Sequence, residues 1–432
     1  MDRPARGRQK SRRPGEDTPK APRAFADPFA YPSSLTEATL RITRRRLSVN
    51  RLRSGRAAEV FRSDWADPTA ARSCNGLPLR GPLLGSLAVS AHAITYDLVP
   101  VGNAGNGNDP ATGGIYGGVA YDYQIGKYDV TIGQYTEFLN AVAATDTNSA
   151  YYPAMATDLN IAGISRSGSS GSYTYSAIGP FGTTTAGASS PGDRPIAYVD
   201  WFESARFANW MANGQPTGSQ NSTTTEDGAY NLNGATGGIA PAKNVINPNT
   251  GAPPTFSIPL ENEWYKAAYY SPVLNSGSGG YWTYATQSNT PPGNVIGSGT
   301  NQANWRTENG NWSVTQSVDY DANQNYGTEV GAFSGSGSFY GTFDQCGELE
   351  NWNDLDGTPN SLRGLRGGNG GDYNPLYISS SFRFDDVDTD HQALIGFRLA
   401  APAAVPEPST SAMALAGVAC GGYLVRRRRK QA

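Results

Sequence analysis

The stretch GTFDQCGELENWND, Gly341 to Asp354, organises the reading of this 432-residue chain. Two shorter runs go with it: LRGLRGG from Leu362 to Gly368, and IGFRLA from Ile395 to Ala400. The sequence around them is rich in Gly (52) and Pro (29) and only 16% charged, a composition of loops. Yet 11% is aromatic, with 24 Tyr and 8 Trp, and each such ring buries a large area. The balance implies a loop-rich globular domain, not a disordered chain.

The net charge of -3 conceals an asymmetry. Residues 1–80 carry 18 Lys/Arg against 8 Asp/Glu, and Arg426 to Lys430 add five positive charges. Residues 81–425 hold the other 11 basic and 29 acidic residues, a balance of -18. An acidic body argues against nucleic-acid binding and suits bound cations. Cys74, Cys346 and Cys420 are the only thiols, and His92 and His391 the only imidazoles. Once the expected export leader is removed and the apolar tail set aside, the body keeps Cys346 and His391. That argues against a disulfide framework, a Cys/His zinc site, and a Ser-His-Asp triad built on any other histidine.

Upstream, residues 1–76 read as a basic disordered leader or as residues before the true start; an alternative start codon such as that of Val60 fits the second reading. Residues 77–93 read as a signal peptide. Arg80 precedes the apolar run from Pro82 to Ser90, and Ala91-His92-Ala93 supplies an A-x-A cleavage site at Ala91 and Ala93. Ile94 to Val101 alternates like a strand. Gly105-Asn106-Gly107 is no phosphate cradle, because neither Gly-Lys-Ser/Thr nor a helix follows. Val119 to Val130 reads as strand, and a helix from about Thr131 lines up Tyr135, Phe138, Leu139 and Val142.

Residues 146–193 are a Ser/Thr/Gly/Tyr-rich insertion. Asp200 then stands three residues before Glu203, a helix-capping spacing, and the helix runs to a stop at Asn213-Gly214. After a second loop insertion, 214–256, Pro259 suits a first helical turn, with Glu261 and Glu263 at the positive helix end. These two carboxylates have the look of an acid/base pair but are read as structural. Asp319-Tyr-Asp321-Ala-Asn323-Gln-Asn325 and Asp386-Val-Asp388-Thr-Asp390 alternate oxygen side chains as a calcium loop begins. Neither has Gly at the sixth position or Glu at the twelfth, so neither is an EF-hand.

Five of these segments stand in the order of a known family. Gly126 to Phe138, Arg194 to Trp210, Ser257 to Ala268, Gly341 to Gly368 and Ile395 to Ala400 together resemble the formylglycine-generating enzyme family, also called sulfatase-modifying factors. The resemblance spans about Val119 to Ala400. It implies a single α+β domain over residues 94–403, an irregular, loop-rich variant of the C-type lectin fold. It also implies structural calcium. The family's A-N-x ligand segment is matched by Ala303-Asn304-Trp305, with Asp321 to complete a first site. The family's G-N-x-x-E-W reads here as Gly347-Glu348-Leu349-Glu350-Asn351-Trp352, so Gly347, Leu349 and Asn351 mark a rearranged second one. The family's oxidase holds copper with two cysteines placed between its R-G-G and G-F-R segments. Arg366 to Arg398 contains no cysteine, and Cu(I) prefers thiolate. Copper and oxidase activity are therefore not expected.

Residues 404–432 form the tail. Pro406-Glu407-Pro408 precedes a small apolar segment, 411–425, and an Arg cluster with the charge of a positive-inside stop. This order resembles the PEP-CTERM sorting signal. It implies export to the envelope or outer surface of a Gram-negative bacterium, with transient membrane anchoring and processing by an exosortase. The expected function is non-catalytic binding or structure in the envelope or exopolysaccharide matrix. Trp282, Trp305 and Trp312 are candidate sugar-stacking faces for a glycan or another envelope component. The alternative is an enzyme of altered chemistry, which predicts His391, Asp344 and Glu348 converging in one cleft.

Overall fold

The computed structural model describes residues 93–182 and 190–403. The leader, the signal peptide up to His92 and the whole tail lie outside the described residues, and with them the expected membrane segment 411–425, Pro406, Glu407, Pro408 and Ala91. Ala93 is described and is exposed. The chain divides into two units, and everything below concerns the one that holds the described residues. Among the described residues no helix is long and apolar enough to cross a membrane.

In chain order the elements are β1 (Leu98–Val101), β2 (Tyr123–Gly126), α1 (Ile132–Val142), α2 (Ala154–Thr157), β3 (Ile164–Ser167) and β4 (Thr174–Ala177). Next come α3 (Trp201–Ala212), α4 (Glu261–Tyr269), β5 (Tyr270–Ser271), α5 (Leu274–Gly277) and β6 (Gly280–Tyr281). Last are β7 (Glu350–Asn353), β8 (Leu362–Arg366), β9 (Phe384–Val387), β10 (Ile395–Gly396) and β11 (Ala400–Pro402). The strands make a sheet β1-β2-β11, a sheet β10-β7-β8-β9 and two hairpins, β3-β4 and β5-β6. Among the named strands of the described residues only the β10–β7 pairing is parallel. This is the irregular α+β arrangement expected from the sequence. The β3-β4 hairpin shows that the 146–193 insertion is partly ordered by its own pairing.

Local chemistry sets the helix starts. Thr131 and Gln134 form a reciprocal capping box on α1, and Asp200 and Glu203 form one on α3. The α1 face Tyr135, Phe138, Leu139 and Val142 is buried as expected. Phe207 of α3 stacks on Tyr135 at 5.8 Å and meets Phe138 and Phe397 edge-on, each at 5.4 Å. The Phe of the IGFRLA run thus closes the seam between α1 and α3. Two expectations need correction. The strand read over Val119–Val130 is only Tyr123–Gly126, because its partners β1 and β11 offer four and three residues. Pro259 lies before α4, not in its first turn, because the Glu263 carboxylate accepts from Leu260 N–H at 2.8 Å and fixes the helix start there.

Candidate functional site

The segment Gly341–Asp354 enters β7 through a buried turn. Gly347 has φ +76°, and a Cβ there would overlap the Asn304 carbonyl oxygen, so only glycine fits. The Asn304 carbonyl accepts from Glu348 N–H at 2.8 Å. Glu348 itself has φ +67°, a conformation that Asn adopts far more readily than Glu. It is held there by its carboxylate. Oε1 accepts from Thr328 N–H at 2.9 Å, and Oε2 accepts from Thr328 Oγ1 and from Asn304 Nδ2, both at 2.6 Å. Burial pushes the Glu348 carboxyl up to about 8; Thr328 and Asn304 oppose this, and nearby Asp344 adds to it. Asp344, pushed up to about 7 by burial and by Asp129, takes Gly331 N–H at 2.8 Å.

This centre is closed. Two cavities flank Glu348. One is lined in part by Asn304, Asp344 and Cys346 and the other by Asn160, Trp312 and Tyr326, each of about 10 Å³. That is room for about one water apiece. Cys346 is 5% exposed, and burial pushes its thiol up to about 12, so thiolate is scarce at neutral pH.

The candidate calcium ligands are arranged as follows. Asn304 is buried, and its amide nitrogen is spent on Glu348 and on Tyr326 O at 3.0 Å. Trp305 is buried with its indole N–H on the Pro292 carbonyl. Asp321 is exposed and turned onto its own loop, accepting from Asn323 N–H at 2.8 Å. Asn351 Oδ1 accepts from Trp264 Nε1 at 3.0 Å and Arg398 Nε at 2.8 Å, and its amide nitrogen donates to Leu349 O at 3.4 Å. A guanidinium in contact with Asn351 repels a second cation. As arranged, the Gly347–Leu349–Asn351 set does not fit calcium, and the Asn304–Asp321 set is engaged elsewhere.

The titratable residues of the altered-enzyme alternative do not meet as expected. Glu348 is spent on Thr328 and Asn304, whereas His391, in the loop between β9 and β10, joins the start of α3. His391 Nε2 lies 3.1 Å from Glu203 Oε1 and 3.7 Å from Asp200 Oδ2. Its Nδ1 bonds the Thr389 carbonyl at 3.1 Å, and its ring stacks on Tyr152 at 4.4 Å. Burial works against a charged ring, but the Glu203 and Asp200 carboxylates win and push the imidazole up to about 9. Burial raises both carboxyls. Asp200-x-x-Glu203 was legible as a cap and His391 as a lone imidazole. Nothing in their spacing, about 190 residues, announces that they meet.

Other expectations resolve more simply. Trp305 and Trp312, at 1% and 2% exposure, are core and offer no face to a sugar, whereas Trp282 is half-buried. The Asp386–Asp390 run is part of β9 and its turn, with Asp388 accepting from Ala240 N–H at 3.2 Å. Glu261 is clamped by Arg366 at 2.7 Å and Arg383 at 2.9 Å, a structural role. A wider groove of about 290 Å³ runs along β11, lined by Tyr121, Lys243, Val245, Glu263 and Pro402 among others.

A single α+β body with short sheets, long ordered loops and a glycine-pinned buried turn defines the class. Residues 98–403 match the family model described as the sulfatase-modifying factor enzyme 1-like domain, and the chain belongs to that family. Residues 404–430 match the PEP-CTERM protein-sorting motif, which marks an exported, envelope-targeted protein processed by an exosortase at its C-terminus. Among solved structures the chain is similar to CarF, at 18% identity, covering 72% of this chain and 99% of that one, with a TM-score of 0.38. It is also similar to variable protein 1 of Treponema denticola, at 15% identity, 72% and 97% coverage and a TM-score of 0.35. PvdO from Pseudomonas aeruginosa follows at 16% identity, 66% and 81% coverage and a TM-score of 0.33. No curated protein matches.

Proposed function

We propose that this exported domain is a non-catalytic binding or structural component of the envelope or exopolysaccharide matrix. One observation carries the reading: the turn where the family's motifs converge is packed shut around Glu348, with space for about one water on either side. That turn offers no cleft to a substrate peptide, and the interval Arg366 to Arg398, where the family's oxidase keeps its copper ligands, contains no cysteine. The single cysteine of the described residues, Cys346, is buried with its thiol proton held, and a two-thiolate copper site needs a second.

Binding then falls to the surface. Tyr152 and Tyr320 are 37% and 42% exposed. Tyr198 packs on Tyr152 at 5.8 Å, and Tyr320 donates to Asn160 Oδ1 at 2.6 Å. Aromatic faces beside amide and carboxyl groups suit a glycan. The test is a glycan array with the purified protein, with and without calcium, alongside Tyr320→Ala. A glycan signal weakened by that substitution supports the reading. Conversion of a peptide cysteine to formylglycine by the copper-loaded protein overturns it.

A further inference from the structure

We infer that His391, Asp200 and Glu203 form a binding site for a divalent transition ion of the zinc class, at the N-terminus of α3. This goes beyond the envelope-binding reading and does not depend on it. The three ligand atoms, Nε2, Oδ2 and Oε1, all lie within 4.8 Å of one another. Around an ion with bonds of about 2.1 Å, neighbouring ligands stand roughly 3.0–3.6 Å apart. The separations of 3.1 and 3.7 Å from His391 Nε2 are close to that spacing.

The remaining atoms of the same side chains are already spent in ways that hold the ligands in place. Asp200 Oδ1 accepts from Glu203 N–H at 2.6 Å, and Glu203 Oε2 accepts from Asp200 N–H at 2.8 Å. His391 Nδ1 is directed at the Thr389 carbonyl, so that with the proton there Nε2 is the nitrogen offered to an ion in place of its present contact with Glu203. The loop is tied down by Trp201 N–H donating to the Asp388 carbonyl at 3.1 Å. The capping box thus doubles as an outer shell.

A second observation points to a ligand. Glu203 is 2% exposed, and apart from the 3.1 Å contact with His391 Nε2 its Oε1 has no hydrogen-bond partner. Charge agrees. Two buried carboxylates share one imidazole, and the nearby Arg206 is committed to Glu226 at 2.9 and 3.0 Å. A divalent ion beside neutral His391 matches the charge of the two carboxylates when both are ionised. The side chain of His391 is 22% exposed, so a fourth position opens to water.

The experiment uses the purified full-length protein, stripped with EDTA and titrated with zinc by calorimetry, with Co2+ absorption as a second probe. His391→Ala and Glu203→Gln are compared with the parent. The expected result is one zinc per chain, visible Co2+ bands of a four- or five-coordinate site, and at least tenfold weaker binding in each variant. Absence of zinc binding in the parent overturns the inference. So does binding that survives both substitutions, since the ion then sits elsewhere. Should His391→Ala fail to fold, Glu203→Gln and the Co2+ spectrum of the parent still decide.

Discussion

The buried turn at Gly347–Glu348 and the rim at Asp200–Glu203–His391 both bring carboxylates into low-dielectric surroundings, yet they solve the problem differently. At the turn, Glu348 takes three hydrogen bonds from neutral groups, and burial keeps its proton on to about pH 8. At the rim, two carboxylates are kept beside an imidazole that solvent can reach, and the imidazole is pushed up to about 9. Neutral donors and a guanidinium lock a structure; a partly exposed nitrogen ligand leaves a place for something to arrive. The turn is architecture, whereas the rim keeps titratable groups within reach of solvent.

The largest effect that would sharpen this contrast is expected at Arg398. It bridges Asp129 at 2.6 Å and Asn351 at 2.8 Å in the fully buried half of the molecule. Arg398→Ala should cost about 3–5 kcal/mol in chemical denaturation, because Asp129 is left buried without its partner. A loss below about 1 kcal/mol would mean that the turn is not locked by charge. Next, Glu348→Ala strands donors from Thr328 and Asn304 and should cost about 1–3 kcal/mol. Melting that matches the parent would show that the turn stands without its carboxylate.

The pH dependence of stability comes third. The Glu348 carboxyl has a folded value of about 8 against an ordinary 4.5. Between these limits the folded state binds more protons than the unfolded one, so stability declines as pH rises from about 5 to about 8. The melting temperature of Glu348→Gln, compared with the parent across that window, should show a shallower decline. Identical slopes would place the proton elsewhere. The smallest effect is expected at the rim: His391→Ala should change metal-free stability by about 1 kcal/mol, because Asp200 and Glu203, whose carboxyls burial already raises, can take up protons once the ring is gone. A loss of several kcal/mol on denaturation would make the rim as structural as the turn and erase the comparison.

The sequence by itself determined the fold, through elements whose signals are local. The Tyr135–Phe138–Leu139–Val142 stripe and the Asp200–Glu203 spacing each encode a face or a cap within a few residues, where sterics and hydrogen bonding act over one helical pitch. The absence of a cysteine pair between Arg366 and Arg398 was equally legible, because composition cannot be altered by folding. Only the tertiary structure decided which distant groups meet. Burial of Trp305 and Trp312 removed them as sugar platforms, Arg398 took the oxygen of Asn351, and His391 crossed to the cap of α3 instead of to Asp344 and Glu348. Those outcomes turn on loops of tens of residues closing over one another. Closing a loop costs little more when it is long than when it is short, so its sequence carries little record of where its ends will land.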